Sequence, residues 1–112
     1  DFLQMDLCSC GGLTEAKRIS ALSSSKGVKV IPHTWGSGIA FYTAINFISN
    51  LEPIPGRLYQ NDAYIEYDRT ENKIRENIIK NNIIMKDGYI YVNNKPGLGI
   101  EVDETYLNEI KI

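Results

Sequence analysis

The sequence predicts an α/β protein: a parallel sheet with helices outside it, followed by a small antiparallel appendage. Three observations carry this. A buried-strand run, Val28 to Ile31, ends at Pro32 and gives way to a helical stretch rich in apolar residues. The same strand-then-helix order recurs before it and after it. At 112 residues and 43% hydrophobic content, the chain has the bulk of one domain with a modest core.

The first unit begins at Phe2 to Leu7, where Gln4 and Asp6 share one alternating face of a short strand. Gly11-Gly12 breaks it, Thr14 is placed to cap a helix, and Glu15 suits the first turn. Leu13, Ala16, Ile19 and Leu22 recur at threes as its expected inner face, and Gly27 is a stop signal. In the second unit, Gly36-Ser37-Gly38 can open a helix from Ile39 to Leu51, with Ile39, Ala40, Ala44, Ile45, Phe47, Ile48 and Leu51 as its apolar stripe. A link from Glu52 to Asp62 holds Pro53, Pro55 and Gly56. The third unit is a strand from Ala63 to Tyr67 and a polar helix from about Asn72 to Asn81, with Ile74, Ile78 and Ile79 inside.

From Asn81-Asn82, a breaker, the pattern changes. Two short strands flank Asp87-Gly88, a dipeptide that favours a two-residue hairpin turn. A loop from Asn93 to Gly99, a short strand at Ile100 to Val102 and a small helix capped by Asp103 complete the chain. Three β-α units cannot close a barrel, and an open sheet would leave two bare edges. The sequence enters a strand-like segment directly at Asp1, so the expectation is a sector of something larger.

Composition removes several functions. A net charge of −2 with scattered Lys and Arg offers no footprint for nucleic acid. No apolar run reaches the roughly 18 residues of a membrane span, and no secretory leader is visible. Cys8 and Cys10 stand too close for an ordinary disulfide and, with one histidine, are too few for a structural zinc site. They suit a reducing, cytoplasmic setting.

The candidate chemistry lies at the strand ends. Asp6, His33 and Glu66 fall at or near the carboxyl ends of successive strands, which parallel strands bring to one rim. A carboxylate bonded to a histidine fixes its tautomer and supports it as a base, while a second carboxylate can hold a proton or a substrate oxygen. Trp35, two residues past His33, is assigned to substrate binding, with core packing as the plainer alternative. Plainer readings stand beside the others too: His33 as a hydrogen-bonded loop residue, Asp6 as a helix cap, Glu66 as a solvated strand face. Gly36-Ser37-Gly38 lacks the nucleophile-elbow order, and Gly97-Leu98-Gly99 lacks a dinucleotide fingerprint.

Four segments keep a common order: DLCSCGGLTEAK from Asp6, PHTWGSGIA from Pro32, IEYDRTEN from Ile65 and KPGLGIEVD from Lys95. Together they resemble the C-terminal third of the mandelate racemase/muconate lactonizing branch of the enolase superfamily. The resemblance implies a sector of a modified TIM barrel, its sixth to eighth strands, in residues 1–82. Residues 83–112 would then return to an N-terminal capping domain. It implies His33 as the seventh-strand base, Asp6 as its sixth-strand partner, and Glu66 as the eighth-strand acid that meets a substrate carboxylate or enolate. It also implies Mg²⁺, with ligands on third to fifth strands that this chain does not contain, so Asp6 and Glu66 are not expected to be metal ligands.

The wording around His33 and Glu66 is most similar to sugar-acid dehydratases. These remove the proton α to a carboxylate and then lose the β-hydroxyl, giving a 2-keto-3-deoxy acid. A racemase or cycloisomerase of the same superfamily is the alternative, although a racemase normally needs a second base on the opposite face. The implied partners are the rest of the barrel, the capping domain, a small sugar acid and further copies of the protein. The chain alone is expected to be inactive. From another class, the chain could be a non-catalytic α/β module that oligomerises through its sheet edges.

Overall fold

The computed structural model describes residues 2–56, 58, 63–81 and 83–111. Parts of the expected link from Glu52 to Asp62, and Asn82 of the expected breaker, lie outside the described residues. The first two β-α units form as expected. Strand β1 (Phe2–Leu3) pairs in parallel with β2 (Lys29–Val30), Phe2 opposite Lys29 and Leu3 opposite Val30. The pairing runs on past both assigned strands: Ile31 N–H donates to Leu3 O at 3.1 Å and His33 N–H to Met5 O at 2.9 Å. It closes with a parallel bridge between Asp6 and His33.

Alternation sorts the side chains along this ladder. Met5, Leu7 and Val30 enter the core with Ala16, Ala44 and Phe47 from the two helices that follow. Pro32 is fully buried. It does not interrupt the ladder, because only alternate N–H groups, those of Ile31 and His33, face β1.

That proline explains the first correction. Ala63 to Tyr67 is not a laddered strand. The edge of the second unit that faces it carries the proline, which has no N–H, and then Thr34. Thr34 N–H reaches the Glu66 side chain at 3.4 Å, and Thr34 Oγ1 donates to Glu66 O at 2.6 Å. The third segment is therefore moored beside β2 by a threonine and a carboxylate in place of a backbone ladder.

Helix α1 (Gly12–Ser25) starts two residues before Thr14, after Gly11 in a left-handed conformation with φ 106°, and no side chain caps it. Its buried face is Ala16, Ser20 and Ser23, while Leu13 and Leu22 are exposed. The row at threes fails for a geometric reason: each step of three turns back about 60° around the axis, so its two ends point in opposite directions. Helix α2 (Gly38–Ile48) is capped by Ser37, whose hydroxyl accepts Ala40 N–H. It is buried on two sides. Ala44 and Phe47 face the strands, while Phe41, Tyr42 and Ile45 meet Ile78 and Ile79 in a second cluster.

Helix α3 (Lys73–Asn77) is shorter than expected and is capped by Asn72. Ile74 is exposed and Arg75 is the buried residue, a second correction. Past α3, Ile79 bridges Val102 antiparallel, and backbone bonds from Lys80 N–H to Glu101 O and Asp103 N–H to Ile78 O tie the tail down. Strands β3 (Met85–Lys86) and β4 (Tyr89–Ile90) form the expected hairpin. Asp87 and Gly88 have φ of 53° and 81°, the two left-handed residues that such a turn requires. Helix α4 (Glu104–Glu109) starts at Asp103, whose carboxylate accepts Tyr106 N–H. No helix among the described residues is long and apolar enough to cross a membrane.

Candidate active site

The parallel bridge places Asp6 and His33 opposite each other, on the face turned away from Met5 and Leu7. Their side chains meet at 2.8 Å, Asp6 Oδ2 to His33 Nδ1. Asp6 is also the hub of the turn that follows it. Its Oδ1 accepts Cys8 N–H at 2.7 Å, and its carbonyl accepts Ser9 and Cys10 N–H. It is not the cap of α1. The His33 hydrogen bond, helped by the Cys8 N–H and opposed by partial burial, holds the Asp6 carboxyl below its ordinary range. An ionised carboxylate accepts only, so the ring presents Nδ1–H to it. Nε2 is then the basic nitrogen, on a side chain about half exposed (51%).

Glu66 is held from two directions. Gln4 Nε2 donates to its Oε1 at 2.6 Å, and Thr34 N–H approaches Oε2 at 3.4 Å. Thr34 follows His33 directly and Gln4 lies two residues before Asp6, so one network ties all three strand-end candidates together. The sequence reading missed both connecting residues. Gln4 had a signal, its shared strand face with Asp6; Thr34 had only its place beside His33. Trp35 is exposed in the same loop.

Among the described residues, no three His, Cys, Asp or Glu side chains cluster as a metal site. The carboxylates of Asp6 and Glu66 are occupied by His33, Cys8, Gln4 and Thr34. These residues do not fit the magnesium site that the resemblance implies. Cys8 and Cys10 are free thiols. A cavity of about 520 Å³ opens elsewhere, between α2, residues 63–67 and the hairpin. Its lining includes Ile45, Ile48, Tyr64 and Tyr89 but none of Asp6, His33 or Glu66, so it is separate from their hydrogen-bond network.

Repeated β-α units that bring an acid–imidazole pair to a strand-end rim define an arrangement of the α/β-barrel type. The Enolase C-terminal domain-like family model matches residues 1–106. The chain belongs to that family, in the mandelate racemase/muconate lactonizing branch, and its fold is an α/β sector of a TIM barrel. It is 35% identical over 112 residues to D-galactarolactone cycloisomerase of Agrobacterium fabrum, covering all of this chain (100%) and 30% of that protein. It is 30% identical over 109 residues to D-galactonate dehydratase of Pectobacterium atrosepticum, covering 96% and 28%. The crystal structure of the 3,6-anhydro-D-galactonate cycloisomerase from Zobellia galactanivorans superposes with a TM-score of 0.80 at 37% identity, covering 95% of this chain and 28% of that one. The chain thus spans less than a third of each of these relatives.

Proposed function

We propose that the polypeptide to which this chain contributes acts on a sugar acid or its lactone by base-initiated β-elimination. The observation that carries the proposal is the 2.8 Å contact between Asp6 Oδ2 and His33 Nδ1. Asp6 fixes the tautomer, and His33 Nε2 takes the proton α to the substrate carboxylate. The C–H electron pair moves into the carboxylate to give an enediolate. Its collapse breaks the C–O bond at the β-carbon, and the proton on His33 passes to the departing oxygen. Glu66 is assigned the hydrogen bond to the substrate carboxylate or enolate oxygen, and Trp35 a wall of the same pocket.

Two outcomes share these steps. A free β-hydroxyl leaves as water, and the enol product becomes a 2-keto-3-deoxy acid. This is the dehydratase reading, supported by the wording around His33 and Glu66 and by the dehydratase relative. A β-oxygen that belongs to a ring stays in the molecule, and the net reaction is a ring-opening isomerisation. Two cycloisomerase relatives, at 35% and 37% identity, favour this second reading. Each of these steps uses this chain's own side chains, and a bound magnesium would be held by residues outside it.

In the same proposal, residues 1–82 supply the sixth to eighth strand positions of the barrel, the eighth held beside the seventh by Thr34 and Glu66 in place of a backbone ladder, and residues 83–112 turn toward a capping domain. The full-length protein, offered a panel of aldonates and aldarolactones, tests the function. A keto-acid product formed with loss of water marks a dehydratase, and one of unchanged mass a cycloisomerase. No keto product and no α-proton exchange from any of them would remove the proposal.

A further inference from the structure

We infer that Gln4 is the positioning residue of Glu66, so that one strand face carries two orienting side chains: Asp6 for His33 and Gln4 for Glu66. The inference rests on the reading of Glu66 as the group that meets substrate. Thr34 anchors the Glu66 backbone through its hydroxyl, but three side-chain torsions separate that anchor from the carboxylate. What fixes the carboxylate is a donor on each oxygen. The Gln4 contact is much the shorter, 2.6 Å against 3.4 Å from Thr34 N–H. A hydrogen bond this short on one carboxyl oxygen holds one rotamer among several.

Register makes the arrangement possible. Gln4 and Asp6 are two residues apart, so both side chains leave the strand on the side opposite Met5 and Leu7. Asp6 reaches the directly opposed His33, while the longer Gln4 side chain crosses to the third segment, 62 residues away. The two contacts act on different catalytic groups, so their losses have different signatures.

The test is a double-mutant cycle in the full-length protein, with Gln4→Met, Glu66→Ala and both together, assayed on the sugar acid or lactone found in the panel. Gln4→Met keeps the length and removes the donor. It is expected to lower kcat on the order of tenfold to a hundredfold, the effect of a misplaced catalytic group, with the melting midpoint unchanged. In the Glu66→Ala background the same substitution is expected to have no further effect. Equal losses in both backgrounds, or full turnover by Gln4→Met, would overturn the inference. Should Gln4→Met lower the melting midpoint, Gln4→Asn decides: it keeps the polar amide but, one methylene shorter, draws the donor back from Glu66 Oε1, and full turnover by it overturns the inference as well. Full turnover by Glu66→Ala overturns the assignment of Glu66 itself, an outcome distinct from failure at Gln4.

Discussion

Asp6 and His33 are joined twice, by a parallel bridge between their backbones and by a 2.8 Å contact between their side chains. The second joint depends on the first. A one-residue slip in register would turn one of the two side chains into the layer occupied by Met5, Leu7 and Val30. The acid–imidazole pair is therefore as well specified as the core beneath it.

The Asp6 carboxyl lies below its ordinary range because of the His33 hydrogen bond first and the Cys8 N–H second, against the opposing effect of burial. A depressed carboxyl contributes stability above its unfolded-state value of about 4, and that contribution is lost as pH falls through the lower folded-state value. Replacing Asp6 with Asn should flatten this part of the acid limb. Melting midpoints of wild type and Asp6→Asn, followed downward from about pH 5, should converge as the medium becomes more acidic. A constant gap between the two curves would contradict this.

Gly38 is kept small by a neighbour, not by its own backbone. A Cβ there would sit 2.5 Å from Arg75 O and 3.0 Å from Ile79 Cδ1, where α2 starts against the end of α3. Gly38→Ala should destabilise the fold by about 1–3 kcal/mol, the usual range for overpacking. Chemical denaturation of the full-length variant checks it, and wild-type stability would show that α3 yields freely.

Arg75 closes the turn after the third segment. Its guanidinium donates to Asp68 Oδ2 at 2.8 Å, Thr70 O at 2.6 Å and Glu76 Oε1 at 3.2 Å, and lies 5.8 Å from the Tyr67 ring centre. The Asp68 carboxyl is held below its ordinary range, by Thr70 above all and also by Arg75. Only a fork of several donors serves these partners at once. Melting midpoints should fall in the order wild type, Arg75→Lys, Arg75→Met. An Arg75→Met protein as stable as wild type would deny the latch any structural part.

Much of this was legible in the residues. The order of the units, the Asp103 cap and the Asp87-Gly88 hairpin follow from local rules that tertiary packing does not oppose. The meeting of Asp6 and His33 follows from strand polarity. The third strand was misread because Pro32 removes a donor on the facing edge, an effect written in the second unit rather than the third. The buried face of α1 was misread because residues at threes drift around a helix. Ile74 was expected inside, yet it is exposed and Arg75, paired with Asp68, is the buried residue of the short α3. Gln4 and Thr34 bind partners 62 and 32 residues away, and no periodicity announces such a bond.

In the proposed reaction His33 moves the α-proton. Full-length wild type and His33→Asn, incubated in D₂O with the sugar acid or lactone taken from the panel, give the direct measurement when α-deuterium and keto product are both followed. His33 is exposed, so its replacement should leave the protein folded, with only the small fall in melting midpoint that goes with the Asp6 hydrogen bond. His33→Asn is expected to lose both product formation and α-exchange by a factor on the order of 10²–10⁴. Wild-type rates of exchange and product formation in the folded variant would contradict it.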